Sequence, residues 1–188
     1  MLAIGTLLLM GGLEGCSPTG AALGITSIES DDRTLREQTL DAEIRISLNK
    51  MMFEADSRIY RAVGIQVWEG RVALTGAVSR PEDRDRVIAI AKSISGVKAV
   101  IDEIQIADEA TLGSFINDTV IEERLKTRLL VSEDLQKVNV SIRAVNGVVY
   151  LLGVAHTQEE LDRVIQQARD IDAVRKVVDH VRIRPKRQ

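Results

Sequence analysis

Few side chains in this sequence have the type and spacing to do chemistry. The two histidines, His156 and His180, fall in different predicted elements, a turn before a helix and a closing strand. Neither has a second ligand at metal-binding spacing. Two acidic clusters, Glu82-Asp83-Asp85 and Glu159-Glu160-Asp162, have the composition of a paired-carboxylate or calcium site. Both fall in the first turn of predicted helices, where the helix dipole favours negative charge, and basic residues are interleaved. A solvated helix face is therefore their expected role. Cys16 is the sole cysteine, which excludes an intrachain disulfide and a Cys-based metal cluster. There is no G-x-S-x-G, P-loop or dinucleotide fingerprint. The glycine pairs Gly70/Gly76 and Gly147/Gly153 are spaced for turns. The expectation is a non-enzyme with no catalytic residue, metal, cofactor or small-molecule substrate.

Charge and apolarity are what remain. The net charge of −3 argues against a nucleic-acid surface, and aromatics, at 3%, are too few and scattered for a base-stacking platform. Basic residues concentrate in two places. Arg124, Lys126 and Arg128 lie in a predicted helix over 118–131, beside an apolar stripe and after Phe115-Ile116. Arg182, Arg184, Lys186 and Arg187 make a basic C-terminal run. A basic amphipathic helix can lie on lipid, and each basic residue near an anionic leaflet contributes about 1 kcal/mol. Arg124, Lys126, Arg128, Arg184, Lys186 and Arg187 are accordingly the candidate phospholipid-binding residues. Against this, Ile121, Leu125 and Leu129 recur every four residues and should face the protein's own sheet. Trp68 is either an interfacial anchor or cover for a neighbouring domain, with the second favoured.

Residues 1–13, MLAIGTLLLMGGL, are apolar and uncharged. The run is shorter than the roughly 20 residues that span a bilayer and fits the apolar core of a secretory signal. The following Leu13-Glu14-Gly15-Cys16 resembles the lipobox of bacterial lipoproteins, although Glu14 stands where that family prefers a small or apolar residue and no basic segment precedes the apolar run. The resemblance implies cleavage before Cys16 and acylation of Cys16. Two or three acyl chains hold firmly where one is marginal. Ser17, in place of the aspartate associated with inner-membrane retention, implies the periplasmic face of the outer membrane. Residues 1–15 thus read as signal peptide. Residues 16–37, rich in Ser, Thr, Gly and acidic residues, read as a lipid-anchored flexible tether.

The elements that must position these groups come in two sets. A shift of 77 residues aligns the halves without a gap. GRVALTGAV at 70–78 lies over GVVYLLGVA at 147–155, and EDRDRVIAIAKSI at 82–94 over EELDRVIQQARDI at 159–171. Asp41/Asp118, Ile44/Ile121 and Leu48/Leu125 coincide upstream, and the two aspartates are expected as helix N-caps. Glu69-Gly70 and Asn146-Gly147 sit between β-prone runs, a strong hairpin signal. Gly76 and Gly153 are expected to end the second strand. Pro81 or Thr157 then opens a second helix, and Val97–Ile106 or Val174–Ile183 forms a closing strand. The fold class is α+β: two tandem α-β-β-α-β sandwich domains, each with two helices on a three-stranded sheet. Domain 1 is assigned to 38–106, a linker to 107–117, domain 2 to 118–183 and a basic tail to 184–188. The short linker implies that the copies pack together.

This order, with the hairpins EGRVALTG and NGVVYLLG, the acidic and basic helix after them and the GV turn into the last strand, resembles the BON domain family. Ala173 departs from it, replacing the glycine found at Gly96, which suggests a looser turn in copy two. Two copies behind a lipobox resemble the dual-BON periplasmic lipoproteins of Gram-negative bacteria. The resemblance implies binding to phospholipid surfaces, a part in envelope integrity, lipid contact through the first helix of a copy, and no catalytic residues. The alternative is a protein-interaction scaffold that binds an envelope protein or self-associates, with no lipid contact beyond the anchor.

Overall fold

The computed structural model describes residues 33–107, 115–135 and 138–185. Cys16, with the signal-peptide and anchor expectations attached to it, and Lys186 and Arg187 lie outside the described residues.

Copy one runs α1 (Leu35–Ala55), α2 (Ser57–Ala62), β1 (Val63–Trp68), β2 (Arg71–Val78), α3 (Pro81–Ser93), β3 (Ala99–Ile106). Copy two runs α4 (Phe115–Val131), β4 (Asn139–Val145), β5 (Val148–Ala155), α5 (Gln158–Arg169), β6 (Lys176–Ile183). Each copy forms one three-stranded sheet with the middle strand in sequence also central in space, β1-β2-β3 and β4-β5-β6. The hairpin pairs are antiparallel, and the crossover through α3 or α5 makes the second pair parallel. The expected α+β tandem architecture is thus present. It has one addition, the short α2, which starts from an N-cap at Asp56.

Strand alternation gives each sheet two covered faces. Toward the helices, Val67, Val72 and Leu74 meet Ile44, Leu48 and Met52 of α1 and Val87 and Ala91 of α3. In copy two, Ile142, Val149 and Leu151 meet Ile121, Leu125 and Leu129 of α4 and Val164 and Ala168 of α5. On the opposite faces, Trp68 and Ala73 of one sheet pack with Leu152 and Val154 of the other, with Ile101 alongside. The sheets therefore face each other, with helices outside both. Trp68 is cover for the other domain, as favoured from sequence, and Arg33 stacks over its ring 4.0 Å from the centroid.

Several boundaries differ from the sequence reading. Helix α1 begins at Leu35, inside the stretch assigned to the tether, because Thr34 and Glu37 form a complete capping box. Helix α4 begins at Phe115, inside the stretch assigned to the linker. Strands β3 and β6 begin two residues later than expected. Asp41 and Asp118 are not N-caps: Asp41 lies in the second turn of α1 and Asp118 in the first turn of α4. Gly76 and Gly153 do not end their strands; they sit within β2 and β5 at φ +132° and +152°. A Cβ there would lie 2.1 Å from the Ala62 carbonyl oxygen or 2.0 Å from that of Asn139, so only glycine fits. Ala173 is not in a looser turn either: its φ of +73° is close to the +88° of Gly96.

Candidate functional site

Helix α4 positions the basic residues singled out from sequence. Its inner face is fixed by Ile121, Leu125 and Leu129, all buried. A quarter-turn away, Val120, Arg124, Thr127 and Val131 follow one another at helical spacing. Val120 is 43% exposed, Val131 74% and the neighbouring Leu130 63%. Arg124 is exposed between the two valines and borders a shallow hollow with Glu123, Thr127 and Arg128. Lys126 is on the far flank, 2.7 Å from Glu123.

The other cations are engaged elsewhere. Arg128 donates to the carbonyls of Gln167 (3.0 Å) and Asp170 (3.1 Å), closing the C-terminal end of α5. Arg184 lies 2.6 Å from Glu69 of copy one, a half-buried pair that ties the two domains. The structure therefore brings Arg124, Lys126 and Arg128 to one helix and puts Arg184 at the domain seam.

The acidic clusters have structural partners. Asp83 pairs with Arg80 at 2.7 Å. Glu160 is buried; its carboxylate accepts from the His156 backbone N–H, and its own N–H donates to the Thr157 hydroxyl. Among the described residues no group of His, Cys, Asp or Glu is placed to hold a metal. Nor is any helix there long and apolar enough to cross a membrane.

Two features escaped sequence reasoning. One is a carboxylate clamp on each hairpin. Asp41 accepts from the Glu69 and Gly70 backbone N–H groups at 2.7 and 2.8 Å, and Asp118 accepts from Asn146 and Gly147 at the same two distances. Both hairpin residues have positive φ in each copy, which turns their N–H groups inward. The identity Asp41/Asp118 was visible, but the partner lies 28 residues downstream. The other is the polar seam. Gln66 donates to Ser141 (3.0 Å), Gln105 to the Tyr150 hydroxyl (3.1 Å) and Arg71 to the His180 carbonyl (2.7 Å). Glu103 and His180, equivalent positions of the two copies, meet at 2.8 Å. The copies are thus related by an approximate two-fold axis that passes near this pair. Burial draws the Arg71 guanidinium below its ordinary range, with Arg182 adding repulsion. Burial likewise pushes the Tyr150 hydroxyl up. At one end of the seam a cleft of about 370 Å³ is lined by Tyr60, Arg61, Thr119, Glu122 and Arg143. Its walls carry both signs of charge, and Arg143 sits 3.6 Å from Glu122.

Comparison with known proteins fits this duplicated geometry. The family model described as BON domain matches residues 40–108 and 117–185. A protein of Anaplasma centrale, described as an uncharacterized protein in the gshII 5′ region, is 38% identical over 145 residues. That match covers 77% of this chain and 95% of the relative. The outer membrane lipoprotein DolP of Haemophilus influenzae is 25% identical, over 88% of this chain and 87% of its own. The osmotically-inducible protein Y of Escherichia coli is 24% identical, over 73% of this chain and 69% of its own.

Proposed function

Because this chain belongs to the BON domain family, we propose that it is a non-catalytic protein of the bacterial envelope whose domains bind phospholipid surfaces and support envelope integrity. It is anchored through an acylated Cys16 on the periplasmic face of the outer membrane. The likeness to the lipoprotein DolP along most of both chains supports that placement.

The observation that carries the lipid reading is the outward side of α4. Apolar side chains that gather into one exposed patch mark a surface that something covers. Here Val120 and Val131 are exposed around Arg124, with Leu130 and Lys126 exposed on the far flank. Apolar groups that enter the acyl boundary, beside cations that stay with anionic headgroups, are the physical requirements of an interfacial helix. Arg128 supports this surface by tying α4 to α5; Arg184 is held by Glu69 at the seam, and the tail cations Lys186 and Arg187 add attraction for an anionic leaflet. Each contribution is small. The acyl anchor makes them effective by raising the local concentration of membrane.

Vesicle flotation tests the proposal. The chain without residues 1–16, which lacks both the apolar leader and the acylation site, should float with phosphatidylglycerol-containing vesicles at low salt and not with purely zwitterionic ones. Binding should fall as salt rises. The triple change Arg124→Ala, Lys126→Ala and Val131→Ser should remove most of it while leaving the thermal midpoint nearly unchanged. Absence of flotation at low salt would reject lipid binding. Pull-down of an envelope protein by the same variant would then favour the scaffold reading.

A further inference from the structure

Helix α1 is apolar on two sides. Its inner side, Ile44, Leu48 and Met52, is core. Its outer side carries Leu35, Ala42, Ile46 and Phe53 at spacings of seven, four and seven residues, which places them along one line. Leu35 is 74% exposed, Ile46 68% and Phe53 60%, and Tyr60 of α2 extends the strip by stacking edge-on against Phe53 at 5.6 Å. At 1.5 Å per residue the strip is about 27 Å long. The middle of the strip is particular to copy one: the repeat places Glu123 where Ile46 stands and Thr119 where Ala42 stands, while exposed Leu130 matches Phe53.

The charges beside the strip indicate what covers it. Along one flank stand Arg36, Glu43, Lys50 and Glu54, all exposed, in the order plus, minus, plus, minus. This order is its own complement when reversed. An antiparallel copy of α1 centred on Ile46 sets Glu43 against the partner's Lys50 and Arg36 against the partner's Glu54, each pairing made twice. Ile46 then meets its own counterpart, and Phe53 lies over the partner's Thr39 and Ala42, where small side chains leave room. Lys50 and Glu54 are 4.0 Å apart within one helix, with side chains 72% and 61% exposed, so both are available to a partner. In an isologous antiparallel helix pair, same-flank residues face each other, which is what this order satisfies.

We propose that the outer face of α1 is a self-association surface through which two copies of this chain form an antiparallel, two-fold symmetric dimer. A strip one helix wide is at the small end of specific interfaces, so the dimer is reversible. It leaves α4, on the opposite outer face of each protomer, free.

Sedimentation equilibrium on the chain without residues 1–16 tests this. The chain should show a concentration-dependent monomer–dimer equilibrium. Ile46→Glu, at an exposed position the fold does not need, should weaken it by about tenfold or more while circular dichroism stays unchanged. Lys50→Glu alone should also weaken it, because it faces carboxylate with carboxylate. The exchange Glu43→Lys with Lys50→Glu should restore it. A chain that stays monomeric throughout overturns the proposal. So does a dimer indifferent to Ile46→Glu, or an exchange that fails to restore association. A chain that is monomeric with or without Ile46→Glu and loses vesicle flotation on that change overturns it too, assigning the strip to lipid instead.

Discussion

Asp41 in copy one and Asp118 in copy two each hold two backbone N–H groups of their own hairpin, at 2.7 and 2.8 Å in both. Seven residues toward the helix C-terminus the resemblance ends: Leu48 and Leu125 are both fully buried, but the outward neighbours are Ile46 in one copy and Glu123 in the other. Duplication has kept the groups that close turns and fill cores. The outer faces have separated into an apolar strip flanked by charges of both signs on α1 and a mixed apolar and cationic surface on α4. What the two copies share therefore explains how they fold, and what they do not share is where binding roles can differ.

The comparison is broken most severely at the strand glycines. Gly76→Ala places a methyl 2.1 Å from the Ala62 carbonyl oxygen, and Gly153→Ala places one 2.0 Å from that of Asn139. Both are backbone atoms, and both glycines have φ values unfavourable to L side chains. Each change should cost about 4 kcal/mol or more in chemical denaturation, and by similar amounts. A mild cost in one copy alone would show that its strand junction yields where the other does not.

Loss of the carboxylate clamp ranks next. Asp41→Ala and Asp118→Ala each strand two inward-facing N–H groups, and a hydrogen bond to a charged group is worth about 1.5–3 kcal/mol. A loss of roughly 3 kcal/mol or more is expected for either. Asp41 also accepts from Arg33 at 2.9 Å, and Arg33 covers Trp68, so Asp41→Ala should cost more than Asp118→Ala. Arg33→Ala should reduce the difference between them. Equal costs would mean that Arg33 contributes nothing to the clamp.

Most of the fold could be read in the sequence, because its signals are local and occur twice. The hairpin dipeptides, Pro81 at the start of α3, the Thr157 cap and the four-residue spacing of Ile121, Leu125 and Leu129 each act within a few positions. The clamps could not be read that way. Asp41 resembles a cap to any local reading, and only folding brings residues 69 and 70 to it. The seam was legible as an expectation that the copies touch and that Trp68 covers the neighbour. Its polar contacts, such as Gln66 with Ser141, depend on how two sheets dock. The candidate site was legible in part: Arg124 and Lys126 are exposed on α4 as the helix pattern implied. Arg128 and Arg184 are engaged by distant carbonyls and by Glu69, which no spacing announces. The outer strip of α1 was hidden because a helix apolar on two sides gives a weak one-sided pattern.

The smallest expected effect gives the finest comparison. Gly96 and Ala173 occupy the same turn with φ of +88° and +73°, and their carbonyl oxygens sit 2.8 and 2.7 Å from where a Cβ on Gly70 or Gly147 would stand. Both copies thus need the left-handed conformation to bring the carbonyl over the hairpin, but only copy one has the residue that adopts it freely. An L residue in that region carries roughly 1 kcal/mol of strain. Ala173→Gly should relieve it and stabilise the chain by somewhat less than that, since glycine also makes the unfolded state more flexible. Gly96→Ala should destabilise by a similar amount; a Cβ there meets only Ile44, at 3.4 Å, so strain dominates over crowding. Thermal unfolding of the two single variants and the double variant should give shifts of opposite sign that nearly cancel when combined. If Ala173→Gly instead destabilises, the unfolded-state entropy outweighs the strain, and the turn in copy two is held by its surroundings strongly enough to make alanine the better residue there.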